Sequence, residues 1–292
     1  MTAGAGMTEI RPGYKQTEVG VIPEDWDVIK LNKVASIRNL RQYPQNVAPE
    51  TPCVELEHIG QGTGELVGQT TAEFSKSMKF SFRRGDVLFG RLRAYLRKYW
   101  QAQFDGLCTT EIWPLISNER LDSGYLYCLV QTERFAATAS ISYGTHMPRT
   151  DWKIVGDLPI PLPPLAEQRA IAAALSDVDG LLTALAELIA KKRAIKQAAM
   201  QQLLTGQTRL PGFEQKPGYK QTEVGVIPED WDTLALGEVL NRISNGAVYQ
   251  LANQYSGIPI TRIETISDSV VDLSRVGYAT KLPYLSKYRM QQ

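Results

Sequence analysis

Histidine is nearly absent, cysteine occurs in no useful arrangement, and no apolar run is long. His58 and His146 are the only histidines in 292 residues. Neither has ligand-spaced neighbours, so a metal site or a histidine-based triad has little to build on. Cys53, Cys108 and Cys128 are odd in number and widely separated, with no CxxC, which argues against a disulfide framework or a zinc knot. They read as reduced, mostly buried small hydrophobes. Apolar stretches fall far short of the ~20 residues a membrane helix needs, and Met1 to Lys15 lacks the regions of a signal peptide. The expectation is a cytoplasmic protein with no membrane partner. A charge excess is missing too. Lys plus Arg is 32 against 31 Asp plus Glu, so any binding of a polyanion has to be local. No Walker loop, HExxH or nucleophile elbow occurs. Gly60-Gln-Gly-Thr-Gly64 lacks the following helical periodicity of a dinucleotide loop and reads as a turn.

What is present is ordinary globular composition, 43% hydrophobic and 22% charged, which excludes a wholly disordered chain. The length suggests two domains. An internal repeat agrees: Gly13 to Asp27 reads GYKQTEVGVIPEDWD, and Gly218 to Asp232 reads the same fifteen residues, 218 minus 13 or 205 positions later. The apolar skeleton continues, with Ile29, Leu31 and Val34 opposite Leu234, Leu236 and Val239. The expectation is a duplicated domain-sized unit, one copy full and the second running to about its first third.

Short apolar runs at Ile29 to Ile37, Cys53 to Ile59 and Asp86 to Phe89 suit strands, and Leu126, Leu129, Val130 and Phe135 predict a helix over roughly Asp122 to Thr138. The fold class is therefore α+β. Pro159-Ile-Pro-Leu-Pro-Pro164 is extended and is expected to be a boundary. From Leu165 to about Thr205 there is no proline and a high density of Ala, Leu, Lys and Gln, a composition for one long coiled-coil helix. Ile171, Leu175, Val178, Leu182, Leu185 and Ile189 step by 4, 3, 4, 3 and 4, and Ile195 extends the seam. Forty residues make a rod about 60 Å long. Such a rod needs a partner helix along its stripe.

One segment stands out electrostatically. Lys76, Lys79, Arg83, Arg84, Arg91, Arg93, Arg97 and Lys98 face a single acid, Asp86, with Tyr95 among them. Arg91 and Arg93 share a face if the preceding strand continues, and such a row can straddle phosphates or present forked donors to guanine. Thr145, His146 and Arg149 lie in a polar loop suited to entering a groove. The expected DNA-facing set is Arg91, Arg93, Tyr95, Arg97, Lys98, Thr145, His146 and Arg149. A solvated basic face is the plain alternative.

Gly20-Val-Ile-Pro-Glu-Asp-Trp26, Gly85-Asp-Val-Leu-Phe89 and Leu158-Pro-Ile-Pro-Leu-Pro-Pro-Leu-Ala-Glu-Gln-Arg-Ala-Ile171 together resemble the specificity subunit of type I restriction-modification enzymes. The resemblance implies an N-terminal segment 1–19, a first target-recognition domain 20–158, a Pro-rich boundary 159–164, a conserved helix 165–205, a linker 206–223 and an incomplete second recognition domain 224–292. It implies a non-catalytic reader of a split site on double-stranded DNA that directs adenine methylation and restriction. Partner modification and restriction subunits then use S-adenosylmethionine, ATP and Mg, and this chain holds no cofactor or metal. Truncation adds a further expectation, an antiparallel homodimer through the long helix. The rival readings are a non-DNA coiled-coil assembly module and a single-chain nuclease, the latter without a plausible carboxylate cluster.

Overall fold

The computed structural model describes residues 10–143, 147–213, 218–240, 249–251, 257–267 and 270–281. In chain order, a hairpin of β1 (Tyr14–Thr17) and β2 (Gly20–Pro23) leads into β3 (Asp27–Lys30) and β4 (Ala35–Ile37). Short β5 (Arg41–Gln42), β6 (Pro52–Val54) and β7 (Thr70–Thr71) follow. Then come β8 (Lys79–Phe82), β9 (Val87–Gly90), β10 (Tyr99–Gln101), β11 (Gly106–Thr109) and β12 (Ile112–Ser117). One sheet has the order β10-β9-β12-β4 and the other β5-β8-β11-β6-β7.

The alternation along β9 explains how they stack. Val87 and Phe89 join Trp113 and Leu115 in one core, whereas Leu88 joins Trp100, Ile112, Phe80 and Phe82 in another. Successive side chains of a strand point to opposite faces, so this strand is covered on both. That is why Val-Leu-Phe reads as an uninterrupted apolar run.

Over the first core lie two helices, in the stretch where the periodicity predicts at least one. α1 (Ser123–Gln131) and α2 (Glu133–Ser140) are separated by Thr132, whose backbone is extended and whose hydroxyl accepts from the Phe135 amide. Threonine is a good N-cap, so the chain restarts there rather than running on. Phe135 meets Phe89 edge to face at 5.0 Å.

β13 (Ser142–Tyr143) pairs with β14 (Arg149–Thr150), and α3 (Trp152–Gly156) follows. The Pro-rich segment is not a free connection. β15 (Pro159–Leu162) pairs antiparallel with β3, Pro159 opposite Lys30 and Leu162 opposite Asp27. Prolines at alternate positions share one edge, which a two-stranded pairing leaves without an obligation to donate. The pairing ties the end of the first globule to its beginning.

α4 (Leu165–Leu204) is one uninterrupted helix of 40 residues. Its first turns are anchored: Gln168 is buried and Ile171 packs on the first core. Beyond them Leu175, Val178, Leu182, Leu185, Ile189 and Ile195 are exposed, between 45% and 59%. A second hairpin, β16 (Tyr219–Thr222) and β17 (Gly225–Pro228), repeats the register of the first, Tyr219 opposite Pro228 as Tyr14 is opposite Pro23. Strands at 250–251, 277–281 and 258–260 form a further three-stranded sheet. The chain forms two units, residues 1–192 and 193–292. Among the described residues no helix is long and apolar enough to cross a membrane.

Candidate nucleic-acid interface

The basic segment is dispersed by the fold. β9 ends at Gly90, so Arg91 and Arg93 do not share a strand face. Arg91 instead lies along the rest of the globule: its guanidinium sits 5.4 Å over the Trp113 ring, and Nη2 donates to the Thr150 carbonyl at 3.4 Å. Its Nε is buried with no partner among the described residues. Arg97 donates to Glu133 and to the Gln131 carbonyl, both at 2.5 Å, fastening the loop to the α1–α2 junction. Lys98 Nζ donates to the carbonyls of Leu56 and Ile59, each at 2.8 Å. Arg149 forms a fork on Glu111, with Nε 2.9 Å and Nη2 2.7 Å from its oxygens. Lys79, also counted in the basic stretch, is buried on Glu55 at 2.5 Å.

Four of the expected DNA-facing residues therefore hold the fold. Thr145 and His146 lie outside the described residues. Two remain turned outward. Arg93 is exposed and makes no side-chain hydrogen bond or ion pair among the described residues, and Tyr95 is 56% exposed. They sit on a single 3₁₀ turn, Ala94–Leu96, flanked by Arg93 at φ 51° and Arg97 at φ 52°. These are the positive-φ positions among the described non-glycine residues. A left-handed backbone costs an L residue of order 1–3 kcal/mol and persists only where the surroundings over-determine it.

The surroundings do so here. The Arg93 amide donates to the Pro148 carbonyl at 2.8 Å, Leu92 bridges Arg149, and the Gly62 amide donates to the Arg97 carbonyl at 3.0 Å. The glycine-rich stretch is the expected turn, with the Gly60 amide on the Glu65 carbonyl at 2.9 Å, and it braces the basic loop from one side. The 147–149 segment braces it from the other. Sequence reasoning carried no signal for the left-handed geometry, since arginine has no preference for it.

Other charged groups have structural work. Arg38 forks onto the buried Asp86 at 2.6 and 2.8 Å, which raises the arginine pKa through that hydrogen bond. His58 Nδ1 accepts from the Glu55 amide at 3.0 Å, a local cap. Burial pushes the thiols of Cys53, Cys108 and Cys128 up from their ordinary value, the behaviour of inert rather than reactive cysteines. Among the described residues no three His, Cys, Asp or Glu side chains are grouped to hold a metal ion.

Residues 23–197, more than half of the chain, match the model of the type I restriction modification DNA specificity domain. The chain belongs to that family. The type I restriction enzyme EcoDI specificity subunit of Escherichia coli is 31% identical over 54% of this chain and 36% of its own length. The MjaVIII specificity subunit of Methanocaldococcus jannaschii is 27% identical over 91% of this chain and 61% of its own length. The HsdS subunit from Thermoanaerobacter tengcongensis aligns in three dimensions over 68% of this chain and 53% of its own, with a TM-score of 0.49 and 25% identity. The chain thus spans between about a third and two thirds of the curated relatives it matches.

Proposed function

We propose that this chain reads part of a split site on double-stranded DNA for a type I restriction-modification assembly. The observation that carries the reading is the braced left-handed turn holding Arg93 and Tyr95 out of the globule, in a chain of the DNA specificity family. An arginine fork suits guanine or phosphate, and a tyrosine beside it supplies an aromatic face. Thr145 and His146 belong to this reading by sequence alone and lie outside the described residues. Arg91, Arg97, Lys98 and Arg149 support the turn from beneath.

In this reading the chain is a reader without chemistry of its own. Modification subunits methylate adenine with S-adenosylmethionine, restriction subunits cleave with ATP and Mg, and neither cofactor is held here. The long helix is the spacer on which those subunits assemble. Its exposed stripe pairs antiparallel with the same helix of a second copy, which places two readers on a palindromic split target.

The test is made in complex with modification subunits, after sequencing of methylated adenines has defined the target. Arg93→Ala together with Tyr95→Ala is expected to weaken binding and to reduce the salt slope by about one, the signature of one lost phosphate contact. Alanine keeps the Cβ, so the backbone strain is unchanged. An unaltered slope and affinity remove this turn from the interface. A second reading, a helical assembly module that never touches DNA, draws on the internal engagement of four basic residues. Failure to bind any duplex with modification subunits present would favour it.

A further inference from the structure

The two identical fifteen-residue stretches have different neighbours. In the second, Arg209 comes from the segment after α4 and forks onto Asp230, Nη1 to Oδ1 at 2.7 Å and Nη2 to Oδ2 at 3.1 Å. The same guanidinium lies 5.5 Å over the Trp231 ring. The pair is desolvated, with side chains 13% and 5% exposed. Gly206 closes the helix at φ 71° and lies so near Pro228 that a Cβ would come within 2.3 Å of its ring. The Tyr219 hydroxyl donates to the Gly206 carbonyl at 3.3 Å. Tyrosine, proline, aspartate and tryptophan thus form a socket for a helix end that carries Gly-x-x-Arg.

The first copy has the same four groups, Tyr14, Pro23, Asp25 and Trp26, on the same hairpin register. Among the described residues no cation engages Asp25 or the Trp26 ring. Asp25 is exposed with no side-chain hydrogen bond or ion pair among the described residues, whereas the Asp230 side chain is 5% exposed. Trp26 is used by its edge: Nε1 donates to Glu167 Oε2 at 2.9 Å. No cation lies over its ring among the described residues. At the repeat offset of 205, Gly206 to Phe213 correspond in sequence to Met1 to Thr8, MTAGAGMT, which contains no arginine or lysine.

Identical side chains on an identical backbone have identical chemistry. We infer that the Tyr14–Asp25–Trp26 face is a docking socket for the C-terminal end of a long helix on a partner polypeptide, recognised by a glycine at the helix end and an arginine three residues later. The commitment to this occupant comes from the complex that the second copy already makes. It does not depend on the DNA-reading proposal.

The probe is a labelled synthetic peptide with the sequence Ala199 to Phe213, added to the full chain and followed by anisotropy. Saturable one-to-one binding is expected, weakened at least tenfold by Asp25→Asn in the chain or by Arg209→Ala in the peptide. Asp230→Asn in the chain is expected to leave the affinity within about threefold. Asp25 is exposed, so its substitution leaves the fold intact. No saturable binding, or binding indifferent to Asp25→Asn, overturns the inference. So does binding lost in the Asp230 variant and kept in the Asp25 variant, because the peptide is then exchanging into the second hairpin.

Discussion

Gln168 accepts a hydrogen bond from the backbone amide of Asp122 at 2.8 Å, across 46 residues. Its amide nitrogen donates to the carbonyls of Arg120 at 3.0 Å and Pro163 at 2.8 Å. The side chain is 1% exposed, and Asp122 is itself the cap of α1. One glutamine therefore fixes the first turn of α4 against the globule through three backbone groups. Gln168→Ala is expected to strand those groups and cost about 2–4 kcal/mol, at 1–3 kcal/mol for each buried unpaired polar group less what water recovers. Urea unfolding monitored by tryptophan fluorescence measures it. A loss under 1 kcal/mol would mean that the helix is held by Ile171 and its apolar neighbours instead.

Lys98 and Arg93, five residues apart in one basic run, are expected to respond oppositely to substitution. Lys98→Met leaves the Leu56 and Ile59 carbonyls without their donor and is expected to lower stability by about 1–3 kcal/mol. Arg93→Gly retains the turn and removes the steric cost of φ 51°. It should be neutral to stabilising by up to about 1 kcal/mol, since the entropy glycine loses on folding offsets part of the gain. Melting temperatures of the two variants check this. A lower melting temperature for Arg93→Gly would show that the side chain contributes to folding.

These residues mark how far the sequence could be read. The repeat, the single long helix and the buried Val87-Leu-Phe run were legible because each rests on composition or period, which act locally. The importance of Gln168 was visible only as part of a family-like string; its physical reason is a contact 46 residues away. The basic run shows the same limit. Charge is a property of residues, but whether a cation is free depends on carbonyls and carboxylates that the topology brings in from elsewhere, as with Arg97 on Gln131 and Lys98 on Leu56. The Pro-rich segment was correctly extended, yet its pairing with β3 is a long-range event with no local signal.

The exposed seam of α4 yields a prediction about association. Six apolar side chains from Leu175 to Ile195, each about half exposed, make a stripe that two helices can bury together. Sedimentation at micromolar concentration is expected to give a dimer. Leu182→Glu with Leu185→Glu is expected to shift it to monomer without altering the unfolding of the first globule, since neither residue belongs to its core. A wild-type monomer at that concentration would assign the stripe to a different partner.

Tyr125 supplies the pH dependence. Its hydroxyl is buried beside α4 and donates to the Pro161 carbonyl at 3.2 Å, and burial raises its pKa to about 12. In the unfolded chain the phenol ionises near ~10. Between those values the unfolded state binds fewer protons than the folded one, so stability falls as pH rises through that window and is unaffected by this group below it. The slope from one such group is at most about 1.4 kcal/mol per pH unit. Tyr125→Phe loses the hydrogen bond, worth about 1 kcal/mol, but also loses the ionisable phenol. The variant is therefore expected to be the less stable protein at pH 8, with the gap closing above pH 10 as the wild type alone pays the ionisation cost. Parallel stability curves for the two proteins from pH 8 to 11.5 would show that the Tyr125 hydroxyl reaches solvent and titrates alike in both states.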